Sequence, residues 1–138
     1  MKVSVLIPAY NAEKYISECL NSICNQTHSD LQIVVFDDGS SDMTLDIIRK
    51  HASQDSRIEV YTRENRGVAV TRNQLIGHAV GEYTLFVDAD DWIESDMVES
   101  LFSMSRKYGA DISMCTFMTG RGIDLNKIDS TEKKWDKD

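Results

Sequence analysis

Three short apolar runs constrain this sequence most, because each has the length of a strand, each stops at a polar turn, and helical patterns separate them. The runs cover residues 3–8, 31–36 and 83–87. A near-continuous apolar run of this length is typical of a strand buried on both faces, as in a parallel sheet covered by helices. Strands that alternate with helices predict βαβ units with right-handed crossovers. We therefore expect an α/β fold with a mostly parallel sheet flanked by helices.

The polar turns after these runs are expected to lie together, since parallel strands all end at one edge of their sheet. Ligands of open α/β sheets bind just outside this edge. The three turns are Pro8-Ala9-Tyr10-Asn11, Asp37-Asp38-Gly39-Ser40 and Asp88-Ala89-Asp90-Asp91. They are therefore the first place to look for a functional site.

Apolar spacing of three and four residues predicts four helices, and alternation predicts two further strands at 58–61 and 111–117. The first helix begins at Ala12 with Tyr15 on its apolar stripe. The third covers residues 68–79, and its predicted inner stripe consists of Ala69, Arg72, Asn73, Ile76 and Val80. The pattern fades after Thr119, so we expect a domain over residues 1–119. Residues 120–138 would form a polar tail or begin a further part of the domain.

Composition fits one globular domain and excludes several partners. The 138 residues are 41% hydrophobic with a net charge of −8, so a core can form, but the basic patch expected of nucleic-acid binding is absent. No apolar run reaches the ~20 residues of a membrane span, and the first residues resemble a strand rather than a signal peptide. Cys19, Cys24 and Cys115 lack zinc-ligand spacing and predict buried, reduced thiols in a cytoplasmic protein.

Asp88 and Asp90 form the strongest chemical signal, because the third apolar run delivers two carboxylates, one residue apart, to the ligand-binding edge. Carboxylates this close repel unless a cation lies between them or one stays protonated. Mg²⁺ and Mn²⁺ favour such oxygen ligands together with substrate phosphates. The pair therefore predicts a metal site serving a phosphorylated ligand; the alternative is a helix cap. Asp91 and Trp92 are expected to begin the next turn and pack beneath it.

Three other side chains have both a functional and a structural interpretation. Tyr10 would stack on a nucleobase or only pack on the rim of the sheet. Asp38 would accept a hydrogen bond from a base N–H or form an Asx-turn, whereas Asp37 is expected to bond its own turn. Arg72, placed on the inner stripe of its helix, would pair with a phosphate, an acidic loop or a structural carboxylate.

Four motifs in this order resemble the nucleotide-binding half of the family 2 glycosyltransferases, which have the GT-A fold. The first is residues 5–11, ending Pro8-Ala9-Tyr10-Asn11, and the second is residues 34–44, which contain Asp37-Asp38-Gly39-Ser40. The third is Glu64-Asn65-Arg66-Gly67 with Arg72-Asn73, and the fourth is Gly81-Glu82-Tyr83 leading to Asp88-Ala89-Asp90-Asp91-Trp92. The resemblance covers about residues 3–100.

The resemblance implies a role for each matching residue. Pro8, Ala9 and Tyr10 would line the base and ribose pocket with Glu13 nearby, and Asp38 would hold uracil or another base. Asn65 to Gly67 and Arg72 would approach the base and diphosphate, and Asp88 and Ala89 would contact the ribose or sugar. Asp90 would be the main ligand of Mn²⁺ or Mg²⁺. The family transfers a sugar from a nucleotide donor to an acceptor hydroxyl with inversion, using a separate carboxylate as general base.

Two residues depart from the family pattern. Arg66 stands where the family often has a small residue and Thr71 where it often has Ala, which either alters donor choice or has no effect. Asp111, Asp124 and Asp129 follow the metal motif without resembling the family's base motif. We therefore expect a truncated donor half, with the base beyond residue 138, that binds donor weakly or not at all and transfers no sugar alone. The resemblance also implies a glycan or lipid-linked acceptor and a parent protein that associates peripherally with a membrane. We expect the uncovered sheet to favour self-association.

Other protein classes fit the sequence less well. A non-catalytic nucleotide-binding fragment is the first alternative. A receiver domain also combines this size with clustered Asp residues and Mg²⁺, but its acidic pair follows the first strand. A haloacid-dehalogenase-type phosphatase carries Asp-x-Asp early in the chain, followed by Thr. A dinucleotide-binding enzyme would have Gly-x-Gly-x-x-Gly after the first strand, and this chain does not.

Overall fold

The computed structural model describes residues 1–116, in which strands and helices alternate as the sequence predicts. No helix in this part of the chain is long and apolar enough to cross a membrane. The elements are β1 (Val3–Ala9), α1 (Ile16–Cys24), β2 (Leu31–Asp37), α2 (Thr44–Gln54), β3 (Ile58–Thr62), α3 (Val68–His78), β4 (Tyr83–Phe86) and α4 (Met97–Tyr108).

The four strands form one parallel sheet in the order β3-β2-β1-β4. β1 lies in the middle, with Val3 opposite both Leu31 of β2 and Tyr83 of β4. The order reverses at β1, as in the first half of a Rossmann-like sheet. A receiver domain instead places β1 between β2 and β3, so the topology argues against that alternative. The predicted α/β fold is confirmed.

The helices cover the two faces of the sheet unequally. α1, α2 and α4 pack on the face that carries Val5, Ile33 and Val35. The connection from β3 to β4 crosses to the other side of β1, so a right-handed crossover places α3 on the opposite face. There Leu75 packs against a small cluster of Leu6, Val34 and Phe36. Within the described residues, α3 is therefore the helix that covers this face of β1 and β2.

The predicted inner stripe of α3 is wrong. Thr71 and Leu75 are the buried residues of this helix, whereas Arg72 and Ile76 are exposed. Ala69, Asn73 and Val80 are also exposed. Apolar residues lie on all sides of α3, so spacing alone does not define its buried face. The contact with the Leu6 cluster decides which side is buried.

The predicted fifth strand is also wrong for residues 111–116, which form no strand; Phe117 and the proposed boundary at residue 119 lie outside the described residues. Gly109 ends α4 with φ 59°, and the Ala110 N–H then donates to the Ser105 carbonyl (2.9 Å). These bonds close the end of α4, and residues 111–116 pair with no strand of the sheet. Cys115 is consequently exposed, against the prediction of a buried thiol, while Cys19 is buried and Cys24 partly so.

The first helix begins later than predicted. Ala12 is buried but belongs to a turn, and α1 starts at Ile16. Tyr15, which the periodicity places on the apolar stripe, is exposed. The Tyr15 N–H donates to the carbonyl three residues back, that of Ala12 (2.9 Å), which closes a turn before α1 begins at Ile16.

A buried polar network joins the amino ends of the strands. The Ser4 hydroxyl is fully buried and donates to Gln32 Oε1 (2.6 Å). It also accepts from the N–H groups of Gly81 (2.8 Å) and Val80 (3.2 Å). The network therefore fixes where the chain enters β4.

We expect Ser4→Ala to lower the free energy of unfolding by about 1–3 kcal/mol, because the Gly81 N–H loses its acceptor and Gln32 Oε1 loses a buried donor. Urea denaturation measures the change. Ser53→Ala is the matched control, since the exposed Ser53 hydroxyl donates only a local bond to the Lys50 carbonyl (2.7 Å). Equal losses in the two variants would contradict the prediction.

Candidate functional site

A cavity of about 270 Å³ lies at the carboxyl edge of β1 and β2, beside the first turn of α3. The structure brings together six residues that the sequence predicted for a site, with two more from α3. The lining residues are Pro8, Ala9, Tyr10, Asp38, Asn65, Gly67, Val68 and Thr71. Glu13, Arg72, Asp88 and Ala89 are not among them. The predicted meeting of the first two polar turns is therefore observed.

Hydrogen bonds between the two polar turns shape the floor of this cavity. The Asp38 N–H donates to the Ala9 carbonyl (2.8 Å), which extends the pairing of β1 and β2 into the turns. Asn11 adopts φ 46°, and its side-chain oxygen accepts from the Ser41 N–H (2.9 Å). Tyr10 is left 53% exposed, so its ring is available to a ligand.

Glu13 lies outside the cavity and closes the N-terminus of α2. Its carboxylate accepts from the Met43 N–H (3.0 Å), and its own N–H donates to Asp42 (3.2 Å). This reciprocal pair joins the two turns at their outer ends. Glu13 therefore supports the pocket from a distance.

Asp38 is buried and makes long-range bonds instead of an Asx-turn. Its Oδ1 accepts from the Arg66 N–H (2.9 Å) and from the Arg63 guanidinium, while Oδ2 accepts from the Gly67 N–H (2.9 Å). Burial alone would raise the pKa of Asp38, but these donors outweigh it and hold the pKa below its ordinary value. The cavity thus contains an ionised acceptor at neutral pH.

Asp37 has the structural role that the sequence predicts. Its Oδ2 accepts from the Ser40 N–H (3.3 Å) in its own turn and from the Thr62 hydroxyl (3.0 Å) on β3. Asp37 and Asp38 are adjacent, and strand alternation sends their side chains to opposite faces of the sheet. Only Asp38 faces the cavity.

Arg63 is the site residue that sequence analysis missed. Its guanidinium contacts Asp38, donates to Thr71 Oγ1 (2.9 Å) and lies over the Phe36 ring, 5.0 Å from the centroid. Its Nε donates to Gln74 Oε1 (2.7 Å). The polar loop that begins at Arg63 was visible in the sequence, but nothing local distinguishes Arg63 from Arg66.

The acidic loop after β4 is tied to α3 and to α1. Arg72 Nη2 donates to Asp88 Oδ1 (2.6 Å), with the guanidinium over the Phe86 ring, 5.5 Å from the centroid. The buried Cys19 thiol contacts the Asp88 carbonyl from the other side (3.5 Å). Of the partners that the sequence left open, Arg72 therefore pairs with the acidic loop.

The carboxylates of this loop affect one another. The Asp91 N–H donates to the Asp88 carbonyl (3.0 Å), which closes the predicted turn. Burial and the charges of Asp90 and Asp88 raise the pKa of Asp91. Trp92 does not pack beneath the turn as predicted; it is 55% exposed, because the turn directs it away from the core.

Comparison with known proteins agrees with this geometry. Residues 4–136 match the sequence profile described as Glycosyl transferase family 2. The chain belongs to this family. It is 42% identical over 113 residues to "Glycosyltransferase GlyA" of Streptococcus pneumoniae serotype 4, covering 82% of this chain and 16% of GlyA. The match confirms the resemblance predicted from the four motifs.

Two solved structures share the fold. S. aureus TarS 1-349 in complex with UDP-GlcNAc gives a TM-score of 0.78 at 34% identity, covering 91% of this chain and 37% of that one. The mannosyltransferase PcManGT from Pyrobaculum calidifontis, with GDP-Man and Mn²⁺, gives 0.67 at 30% identity, covering 79% and 32%. The sheet is therefore that of a GT-A glycosyltransferase, and the chain spans well under half the length of these relatives.

The family resemblance implies a divalent cation at the acidic loop after β4. Within residues 1–116 no three His, Cys, Asp or Glu side chains are gathered into a metal-binding cluster. The loop carries carboxylate oxygens, which are the donors that such a cation prefers, and burial together with the charges of Asp90 and Asp88 raises the pKa of Asp91. Assignment of Asp88 and Asp90 as metal ligands stays a prediction.

Proposed function

We propose that this chain forms the donor-binding part of a glycosyltransferase that uses a UDP-sugar and a divalent cation. The whole protein would transfer the sugar to an acceptor hydroxyl with inversion. The observation that carries the proposal is the cavity at the carboxyl edge of β1 and β2, with its ionised Asp38 and exposed Tyr10. Asp38 can accept a hydrogen bond from an N–H group of a nucleobase, and the Tyr10 ring can stack on its flat face.

The size of the cavity supports a base with its ribose rather than a whole nucleotide sugar. Its volume of about 270 Å³ is at the lower end of the range for pockets of small molecules, about 300–1,000 Å³. The diphosphate and sugar would therefore extend out of it, toward Arg72 and the acidic loop. Asn65 and Gly67 would contact the base, and Asp88 and Ala89 the ribose or sugar.

Bound ligands of the solved relatives support the same assignment. TarS is complexed with UDP-GlcNAc, and PcManGT with GDP-Man and Mn²⁺. Arg72 already occupies one oxygen of Asp88, so Asp90 is the first candidate for a direct metal ligand. A cation held there would stabilise the negative charge of the leaving diphosphate.

The chain's own residues would bind and orient the donor. Asp38 would accept from the base, Tyr10 would stack on it, and Arg72 would hold Asp88 in position for a hydroxyl group. The general base and the glycan or lipid-linked acceptor are assigned to the whole protein, not to a residue of this chain. A cytoplasmic location belongs to the same proposal, supported by the free thiols of Cys19 and Cys24.

Calorimetric titration with UDP, with and without Mn²⁺, tests this proposal. We expect Mn²⁺ to raise the affinity of the wild type for UDP by about tenfold or more, an effect of at least ~1.4 kcal/mol. Asp90→Ala should lose that increase but keep the metal-free affinity, because its base pocket is intact.

Asp46→Ala is the matched control, since Asp46 is an exposed carboxylate on α2. This variant should respond to Mn²⁺ like the wild type. Equal enhancement by Mn²⁺ in Asp90→Ala would remove Asp90 as the ligand. Absence of UDP binding by the wild type at millimolar concentration would count against a donor site in this chain.

A further inference from the structure

We propose that Arg63 determines which nucleobase the cavity accepts, by taking the acceptor position on Asp38 Oδ1 that the Arg66 N–H leaves, so that a single position on Asp38 remains for the ligand. Arg63 acts through Asp38 and is therefore a positioning residue for specificity. The inference rests on the proposed nucleotide site. It goes beyond that site because both a uracil and a guanine nucleotide could in principle use an ionised carboxylate.

The acceptor positions of Asp38 can be counted. A carboxylate has two oxygens with about four lone-pair sites in all. Oδ1 receives two donors, the Arg63 guanidinium and the Arg66 N–H, while Oδ2 receives one, the Gly67 N–H. Oδ1 is therefore full, and one position is left on Oδ2.

The nucleobases differ in how they would use that position. Uracil presents one N–H donor, at its imide, between two carbonyl groups. Guanine presents two adjacent donors, its ring N–H and its exocyclic amino group, which pair with the two oxygens of one carboxylate. At Asp38 the second guanine donor would be left without an acceptor in a buried position, which is costly. The count therefore favours uracil over guanine.

Several contacts hold the Arg63 guanidinium against Asp38. Its Nη2 donates to Thr71 Oγ1 (2.9 Å), its Nε donates to Gln74 Oε1 (2.7 Å), and its guanidinium lies over the Phe36 ring. The side chain is only 15% exposed. An incoming base therefore cannot displace Arg63 from Asp38 without breaking several contacts.

Thr71 gives this arrangement a sequence signature. It stands where the family resemblance implies a frequent Ala, and its hydroxyl is fully buried. Besides accepting from Arg63, this hydroxyl donates to the Gly67 carbonyl (3.0 Å). Thr71 thus links Arg63 to the residue whose N–H holds the other oxygen of Asp38. In this chain the Thr71 hydroxyl, which Ala would lack, holds Arg63 in place.

NMR titrations of the 138-residue chain with UDP and with GDP, at saturating Mn²⁺, test the role of Arg63. We expect the wild type to bind UDP about tenfold or more tightly than GDP, the cost of one unpaired buried donor. Arg63→Met frees a position on Oδ1, so the ratio of the two dissociation constants should fall by about tenfold. Arg63→Lys retains a donor for Oδ1 and should keep most of the ratio.

Two further variants complete the experiment. Thr71→Val removes one hydrogen bond that holds Arg63, so the preference of this variant for UDP over GDP should fall by about threefold. This variant keeps the test usable if Arg63→Met does not fold. Arg49→Met makes the same chemical change on α2, which packs on the opposite face of the sheet. Its ratio should equal that of the wild type.

The outcomes separate the two proposals. If Arg63→Met and Thr71→Val weaken UDP and GDP equally, Arg63 only supports the fold, and its role in specificity is overturned while the nucleotide site stands. A wild type that binds GDP as tightly as UDP also overturns that role alone. A folded wild type that binds neither nucleotide overturns the proposed function, and the role of Arg63 with it.

Discussion

Replacing Asp38 by alanine is expected to lower the free energy of unfolding by about 3–5 kcal/mol, the usual cost of removing one partner of a buried ion pair. The Arg63 side chain is 15% exposed and that of Asp38 is 5% exposed, so the guanidinium would keep its charge without a partner. The N–H groups of Arg66 and Gly67 would also lose their acceptor. Chemical denaturation at neutral pH measures the loss.

The same variant gives a pH test with a defined sign. The folded-state pKa of Asp38 is lowered from its ordinary value of 3.8. Such a group stabilises the fold above its unfolded pKa, and this contribution is lost as pH falls through the folded pKa. The difference between wild type and Asp38→Ala should therefore be largest near neutral pH and shrink below about pH 4.

The control for Asp38→Ala is Glu82→Ala, which removes an exposed carboxylate at the amino edge of the sheet. Its effect should stay within about 0.5 kcal/mol. A difference for Asp38→Ala that stays constant down to pH 2 would show that the ion pair is not the source of the loss. A loss no greater than that of Glu82→Ala would show that the donors find other acceptors.

Gly39→Ala is the second change with a large expected effect, about 2–5 kcal/mol of unfolding free energy. Gly39 has φ 72°, where an added Cβ costs about 1–2 kcal/mol by itself. That Cβ would also lie 2.6 Å from the Asn65 nitrogen and 3.0 Å from the Arg63 carbonyl oxygen. Overpacking of this kind adds about 1–3 kcal/mol. Thermal and chemical denaturation measure the sum.

Alanine substitutions at two other glycines separate the cost of the positive φ from the cost of the Cβ clash. An alanine at Gly67 would meet no atom within 4 Å but would share the positive φ, 92°, so it should show only the conformational cost. Gly77 lies inside α3, where an added Cβ also meets nothing within 4 Å, so Gly77→Ala should be neutral or stabilising by up to about 1 kcal/mol. If Gly39→Ala were no worse than Gly67→Ala, close approach of the loop at Asn65 would not matter.

We also expect Gly39→Ala to weaken UDP binding when the variant is fully folded, apart from its effect on stability. The clash falls on the loop that carries Arg63 and Asn65. Displacement of this loop moves the Arg63 guanidinium and the two N–H groups that hold Asp38. Titration at a temperature where the variant is fully folded isolates this effect. Unchanged UDP affinity there would contradict the proposed placement of the base.

The strands could be predicted from the sequence because their signal is local. Residues 31–36 form a near-continuous apolar run, and the structure buries every residue of β2 (Leu31–Asp37). The turns at Pro8 and Asp38 follow directly, since parallel strands end at one edge. Residues of both turns line one cavity. Two of the four motifs that indicated the family contain these turns, and the other two lie at the start of α3 and around β4.

The tertiary structure alone decided three features. The buried face of α3 is set by Leu75 packing on the Leu6 cluster, because apolar residues surround this helix and give no dominant stripe. Residues 111–116 alternate like a strand but pair with no strand of the sheet. Arg63 meets Asp38 across 25 positions of sequence. Local sequence determined which residues form strands and turns; long-range contacts determined which side chains face one another, and hence what the site can select.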